Sequence, residues 1–275
     1  MNDPEIERIE IELLLQAIHL RYGYDFREYA KESIHRRLEQ FIRDRSIASY
    51  SDVTARLLRD PEFFRVLLPY FSVSVTALFR DPFFYAAVGE RVIPRLRAWP
   101  HVKIWHAGCA TGEEVYSFVV LLREAGLLER SQVYGTDISQ AALETAKAGI
   151  YPLEVLRRGS QNYLEAGCRG SLADHYLAHR DAAIVDLSLR RRVTFARHNL
   201  AMDASFGEMQ VIVCRNVLIY FNEGLQNQVL ELFWESLENG GMLCLGDKES
   251  LTFSSVADRF QVLDEKAKIF RKIAA

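Results

Sequence analysis

The stretch that decides the fold is Val102-Lys103-Ile104-Trp105-His106-Ala107-Gly108-Cys109-Ala110-Thr111-Gly112-Glu113-Glu114. It opens as a short, largely apolar segment that predicts a strand, and the small residues after it predict a tight turn. Glu113 and Glu114 then occupy the first turn of a helix predicted at roughly 113–125. A strand, a small-residue turn and a helix N-terminus together form a cradle for a nucleotide-like ligand.

The chain after this stretch alternates between strand and helix patterns. A strand ends at Asp137, and a helix runs from a Ser139 cap to Ala148. Later segments predict strands at 193–198, 210–214 and 242–246, a helix at 223–238, and a terminal hairpin at 260–263 and 269–272. This rhythm predicts an α/β fold with a parallel, doubly wound, Rossmann-like sheet.

Residues 150–191 interrupt the alternation. Two short alternating runs, 175–178 and 183–185, flank a turn at Arg180-Asp181. They predict an antiparallel hairpin inserted into the α/β domain, as a small β-subdomain at about 170–192.

The chain before residue 100 has no strand pattern. Residues 1–75 predict a small all-α domain, 76–99 a connector and linker helix, and 100–275 the α/β domain. The predicted helices are 4–21 with Ile6, Ile9, Leu13 and Ile18 on its buried face, 26–45 with Asp25 as N-cap, 51–58, and one that begins at Pro61.

The composition excludes several classes of function. The formal net charge is -3, so no global field attracts nucleic acid. The acidic N-terminus does not resemble a secretion signal. No apolar run is close to the length of about 20 residues that a helix needs to span a bilayer. The cysteines, Cys109, Cys168, Cys214 and Cys244, form no CxxC pair, which is typical of reduced thiols in the cytoplasm. His175 and His179 have no third ligand nearby, so we expect no metal site.

Charge indicates which ligand the cradle holds. A pyrophosphate at the helix N-terminus would be repelled by Glu113 and Glu114, whereas a ligand with a sulfonium and an ammonium group would not. Asp137, at the end of the second strand, could accept hydrogen bonds from ribose hydroxyls, or it could cap the next helix. These features favour S-adenosylmethionine (SAM) over NAD.

The motifs resemble those of the bacterial chemotaxis receptor methyltransferases, the CheR family. Five matches occur in family order: Val75-Thr76-Ala77-Leu78-Phe79-Arg80, residues 110–117, Thr136-Asp137-Ile138, Asn199-Leu200, and residues 214–221. The family combines a helical domain with a SAM-binding α/β domain that carries a β-subdomain, which agrees with the organisation predicted above.

The resemblance implies specific site residues. The positions that match cofactor contacts are Ser74, Thr76, Arg80, Glu114, Asp137, Asn199, Leu200, Asn216 and Val217. Ser74 stands where the family often has an asparagine. Arg80 and Tyr220 are the candidates for the methyl-transfer region, although Tyr220 could instead be a packed aromatic residue.

The resemblance also implies an activity and a partner. The expected reaction is methyl transfer from SAM to glutamate side chains of a chemoreceptor, which yields glutamate methyl esters in chemosensory adaptation and S-adenosylhomocysteine as the product. The expected partner is the cytoplasmic helical domain of the receptor. The basic second helix, with Arg36 and Arg37, is a candidate docking surface for this acidic bundle, or simply a solvated face. We expect a monomer without bound nucleic acid or membrane insertion.

Other functions remain open at this point. One is a non-catalytic SAM sensor or scaffold in a chemosensory pathway. A nucleic-acid methyltransferase would need a basic face and a proline-containing loop after Asn216, which the sequence lacks, and an NAD-dependent enzyme is disfavoured by the acidic turn. The short turn at Arg180-Asp181 argues against binding of a receptor's C-terminal pentapeptide.

Overall fold

The computed structural model describes residues 4–71 and 76–273 of the chain. Its contacts divide the chain into two compact units, Met1–Val73 with Ile219–Gln228 and Ser74–Leu218 with Val229–Ala275. Within the described residues, no helix has the length and apolar character needed to cross a bilayer.

The first unit is helical. Its four helices are α1 (Pro4–Tyr22), α2 (Lys31–Arg45), α3 (Tyr50–Arg59) and α4 (Pro61–Phe71). Ser49 caps α3 by accepting a hydrogen bond from the Asp52 amide at 3.1 Å, and Pro61 opens α4 as predicted. Leu38, Phe41 and Leu57 are fully buried at its core.

The buried face of α1 differs from the prediction. The helix buries Leu14, Leu15 and Ile18, whereas Ile6, Ile9 and Leu13 are exposed. Both sets repeat every three or four residues, so periodicity alone could not decide which one packs inward.

The start of α2 also differs. The helix begins at Lys31, not near residue 26, and Asp25 binds the side chain of Arg27 instead of capping it. The segment before the helix forms an antiparallel bridge between Tyr29 and Phe221. This long-range pairing competes with the local helix signal, and it explains why Ile219–Gln228 belongs to this unit.

The second unit is the α/β domain. Its helices are α5 (Pro82–Ala87), α6 (Ile93–Leu96), α7 (Glu113–Glu124), α8 (Gln140–Ala148), α9 (Leu153–Glu165) and α10 (Leu187–Arg190), and α11 (Glu223–Ser236) begins in the first unit. A π-helical turn, Val88–Val92, joins α5 to α6. The strands are β1 (Val102–Ala107), β2 (Ser131–Asp137), β3 (Ile150–Pro152), β4 (Tyr176–His179), β5 (Ala182–Val185), β6 (Val193–Arg197), β7 (Met209–Cys214), β8 (Leu237–Leu245), β9 (Phe260–Asp264) and β10 (Ile269–Lys272).

The main sheet has seven strands in the order β6-β2-β1-β7-β8-β10-β9. The pairs from β6 to β8 are parallel, and β10 pairs antiparallel with both β8 and β9. The predicted α/β, doubly wound architecture is confirmed. The strand order reverses between β1 and β7, and parallel sheets of this kind bind ligands at the carboxyl ends of the strands beside such a reversal.

The inserted subdomain is a three-stranded antiparallel sheet in the order β3-β5-β4. The hairpin of β4 and β5 forms where the sequence predicts it, but β3 and α9 were not predicted. Gly159 in α9 looks like a helix breaker. A Cβ atom on it would lie 2.6 Å from the Cβ of Leu78, so this glycine allows close packing against the connector.

Candidate cofactor site

The turn after β1 is built for close approach. Gly108, Ala110 and Gly112 all have positive φ angles, of 77°, 48° and 92°. A Cβ atom on Gly108 would lie 2.4 Å from Cγ2 of Val217, which follows β7. The turn and the loop after β7 meet at the point where the strand order reverses. Because they approach so closely, only glycine fits at position 108.

Asp137 ties this turn to the end of β2. Its side chain is buried, with Oδ2 accepting from the Ala110 amide at 2.9 Å and Oδ1 from the Ser139 amide at 2.8 Å. Burial raises the pKa of Asp137, and these amides oppose the rise. Ser139, not Asp137, caps α8, and a carboxylate has lone pairs beyond the two used here, so Asp137 can still accept from ribose hydroxyls.

The two glutamates at the start of α7 have different environments. Glu113 is buried, accepts from Thr111 Oγ1 at 2.6 Å, and has its pKa raised by burial. Burial would also raise the pKa of Glu114. The hydrogen bond from His106 (3.1 Å) and the charge of Arg215 (3.1 Å) outweigh that effect, so the pKa of Glu114 lies below its ordinary value.

Arg215 is a residue that the sequence reasoning left without a role. Its side chain is 2% exposed and bridges Asp81 Oδ2 at 2.6 Å and Glu114 Oε2 at 3.1 Å, with its Cζ 4.0 Å from the ring centroid of Phe84. Burial lowers the pKa of Arg215, but the neighbouring carboxylates raise it above its ordinary value. The carboxylates of Asp81 and Glu114 thus share the buried guanidinium of Arg215.

This network extends to Arg80. The Nε atom of Arg80 lies 3.9 Å from Asp81 Oδ2, and its side chain is 40% exposed. Phe79, directly before it, is fully buried, and its amide donates to Ser117 Oγ in α7 at 2.9 Å. The connector therefore packs against α7 through Phe79, and Arg80 lies beside the Asp81-Arg215 pair.

The remaining predicted cofactor contacts follow β6 and β7 or belong to the connector. Asn199 makes a local turn in which its Oδ1 accepts from the Ala201 amide at 3.0 Å, and Leu200 beside it is buried. Thr76 is half-buried. Ser74 lies outside the described residues.

Glu249 is a second residue that the sequence reasoning missed. Its buried carboxylate accepts from the amides of Asn216, Val217 and Leu218 at 3.1, 2.8 and 2.8 Å, and from the Gly246 amide at 2.6 Å. Burial raises the pKa of Glu249, and the four amides oppose the rise. One carboxylate thus fixes the loop that carries Asn216 and Val217. Asn216, Val217 and Leu218 lie 33, 32 and 31 residues from Glu249 in sequence, so no local motif reveals these three contacts.

The docking and tyrosine candidates belong to the helical unit. Arg36 is exposed, but Arg37 is only 5% exposed, and its Cζ lies 4.4 Å from the ring centroid of Tyr220. The prediction that Arg37 lies on an exposed docking face is wrong. Together with Ile34 and Phe41, Arg37 falls on the buried face of α2.

Comparison with known proteins decides the family. The description "CheR methyltransferase, all-alpha domain" matches residues 9–72, and "CheR methyltransferase, SAM binding domain" matches residues 74–269. The chain belongs to the CheR methyltransferase family. The predicted resemblance is confirmed, and the chain is a SAM-dependent methyltransferase.

Three relatives show the extent of the similarity to this CheR methyltransferase. "Putative methyltransferase Cher3" of Pseudomonas putida is 50% identical, over 96% of this chain and 97% of its own length. "Chemotaxis protein methyltransferase" of Klebsiella aerogenes is 31% identical over 94% and 87% of the two chains. The protein of the same name from Vibrio parahaemolyticus is 30% identical over 87% and 86%.

The residues of the CheR site fit the cofactor. The glycine turn brings its backbone next to the loop after β7, at the carboxyl ends of the strands. Asp137 has acceptor capacity at the end of β2. The carboxylates at the start of α7 suit a ligand that carries a sulfonium and an ammonium group and no phosphate.

Proposed function

We propose that this chain methylates glutamate side chains in the cytoplasmic helical domain of a chemoreceptor, forming methyl esters as part of chemotactic adaptation. The observation that carries the proposal is that both CheR domains match in order, helical and then SAM-binding, over residues 9–72 and 74–269. The relatives named chemotaxis protein methyltransferase support it.

The proposed chemistry asks for positioning more than for proton transfer. Bound SAM supplies an electrophilic methyl group. A substrate glutamate has an ordinary pKa of about 4.3, so it is already an anion at neutral pH and needs no general base. The protein then has to orient this carboxylate and exclude water, and orientation alone can lower a barrier by several kcal/mol.

We assign the orienting role to Arg80. A guanidinium can hold a carboxylate through two parallel hydrogen bonds, which fixes its direction as well as its charge. Asp81 is held by Arg215, and its carboxylate lies 3.9 Å from Nε of Arg80. This contact would limit the movement of the Arg80 side chain. Tyr220 is the second candidate at the methyl-transfer region.

We assign cofactor binding to the residues at the strand ends. Asp137 would accept from the ribose hydroxyls, and the side chains of Asn216 and Val217 would contact the remainder of the ligand, because their backbone amides donate to Glu249. The other proposed contacts are Ser74, Thr76, Arg80, Glu114, Asn199 and Leu200.

The direct test is methyl transfer to purified receptor cytoplasmic fragments. With methyl-labelled SAM, we expect base-labile label on glutamate residues of at least one fragment. Arg80→Lys keeps the charge but loses the fork, so we expect a large fall in kcat, and calorimetry measures any accompanying change in SAM affinity. Binding of SAM without labelling of any fragment would instead favour a non-catalytic SAM sensor, and wild-type turnover by Arg80→Lys would remove the orienting role.

A further inference from the structure

The helical unit buries a cation with incomplete hydrogen bonding. Arg37 donates from Nη1 to the carbonyl of Phe71, but Nε and Nη2 are buried with no hydrogen-bond partner among residues 4–71 and 76–273. Burial lowers the pKa of Arg37 below its ordinary value. A buried guanidinium is costly unless another group compensates it.

The compensating group is an aromatic ring. The Cζ of Arg37 lies 4.4 Å from the ring centroid of Tyr220, well within the distance of about 6 Å at which a cation is attracted to a ring face. This attraction is stronger when both groups are removed from water, as Arg37 is here.

The main chain on either side of Tyr220 is held by the same unit. The Ala30 amide donates to the Tyr220 carbonyl at 2.9 Å, and the Asn222 amide donates to the Glu28 carbonyl at 2.9 Å. Asn222 Nδ2 also donates to the Glu28 carboxylate at 2.7 Å. The backbone of residue 220 is therefore fixed by the segment before α2, and its side chain by Arg37 within α2.

We propose that Arg37 is a positioning residue for Tyr220, whose phenol it orients for methyl transfer. The inference rests on the proposed function, in which Tyr220 acts at the methyl-transfer region. Arg59 in α3 is exposed and lies outside the candidate docking helix, so it serves as the control.

A docking role and a positioning role affect different kinetic constants. A docking arginine acts on receptor binding and therefore on KM and its salt dependence. A residue that orients a catalytic group acts on kcat. We expect Arg37→Lys to lower kcat for receptor methylation about tenfold or more, with KM and the SAM dissociation constant within about twofold of wild type. Arg59→Lys should leave both kcat and KM unchanged.

A double-mutant cycle tests whether Arg37 acts through Tyr220. Tyr220→Phe keeps the ring and removes the hydroxyl that Arg37 is proposed to orient. In that background Arg37→Lys should cause no further loss of kcat, because neighbouring residues that act as one unit are not additive. Arg37→Gln, which retains a donor for the Phe71 carbonyl, is the second variant should Arg37→Lys fail to fold, and it should show the same kcat loss.

The outcomes distinguish the two proposals. Unchanged kcat in Arg37→Lys or Arg37→Gln, a loss confined to KM, or a full additional loss in the Tyr220→Phe background would overturn the positioning role alone. A wild-type protein that binds SAM but labels no receptor fragment would overturn the proposed function, and the positioning role with it.

Discussion

Arg215 is the residue at which the connector and the start of α7 are joined by charge. It is almost fully buried and contacts a carboxylate on each side, Asp81 and Glu114. Removing one member of such a group leaves the others desolvated without compensation. The contribution of Arg215 to the free energy of unfolding is therefore measured best by replacing its side chain with an uncharged one.

We expect Arg215→Met to destabilise the protein by about 3 kcal/mol, the cost typical of breaking a buried ion pair from one side. Arg158→Met in α9 is the control, since the ion pair of Arg158 with Glu154 is largely exposed, and such a pair contributes under about 1 kcal/mol. Urea unfolding of the two variants measures the difference. Equal stability of the two variants would contradict the claim that the buried ion pairs of Arg215 stabilise the fold.

Acid should weaken the same network. The folded-state pKa of Glu114 lies below its ordinary value, so Glu114 contributes stability above its unfolded pKa of about 4.3, and this contribution is lost as the pH falls through the folded-state pKa. Glu114→Gln should therefore be less stable than wild type at pH 7, and the gap should close as the pH falls below about 5. Unfolding free energies across this range test the sign, and a gap that widened on acidification would contradict it.

At the residue scale, the sequence was enough to propose a polar side chain at the end of a strand. It did not reveal the buried charged residues that hold such segments in place. Asp137 could be proposed because strand, turn and helix signals bracket it. Arg215 and Glu249 could not, because the partners of Arg215 are 101 and 134 residues away. Arg37 was assigned to the wrong face, since a basic residue on a basic helix looks solvated until the ring that it stacks on is known.

Among the elements, the turn between β1 and α7 has the strictest requirement. Gly108 needs a positive φ angle and also an absent side chain, because Val217 fills the space that a Cβ atom would take. Gly126, after α7, shares the positive φ angle, but nothing lies within 4 Å of its virtual Cβ atom. The two glycines therefore separate backbone strain from steric clash.

We expect Gly108→Ala to raise the dissociation constant for SAM on the order of tenfold, which is about 1.4 kcal/mol, because Val217 must move. Gly126→Ala should lose about 1–2 kcal/mol of stability through its left-handed backbone and leave SAM binding unchanged. Calorimetric titration of both variants with SAM is the measurement. Equal weakening in both would mean that strain, not the contact with Val217, determines the effect.

Some helices and strands could be predicted from the sequence pattern and others could not. The alternation of β1, α7, β2 and α8 could be predicted because each element has its own period and cap. The helix α9 was missed since Gly159 and its polar neighbours resemble a loop, and only the contact with Leu78 explains that glycine. The start of α2 was misplaced because Tyr29 pairs with Phe221, a partner far along the chain.

At the scale of the whole molecule, the division into units does not follow the order of the chain. Residues 219–228 lie in sequence inside the SAM-binding match at 74–269, yet their contacts assign them to the helical unit. Proteins open locally in cooperative units of structure. The segment with Tyr220 should therefore share the stability of the helices.

Hydrogen exchange can test this assignment. Leu57→Ala in α3 removes a fully buried side chain of the helical unit, and Leu243→Ala in β8 does the same in the α/β unit, each at a cost of about 2–5 kcal/mol. We expect Leu57→Ala to accelerate exchange of the Asn222 amide, which donates to Glu28, together with the Ala30 amide, while β1 keeps its protection. Leu243→Ala should accelerate exchange in the central strands first. If the Asn222 amide instead followed β1 in both variants, the segment with Tyr220 would belong energetically to the sheet, and its control by the helical unit would be lost.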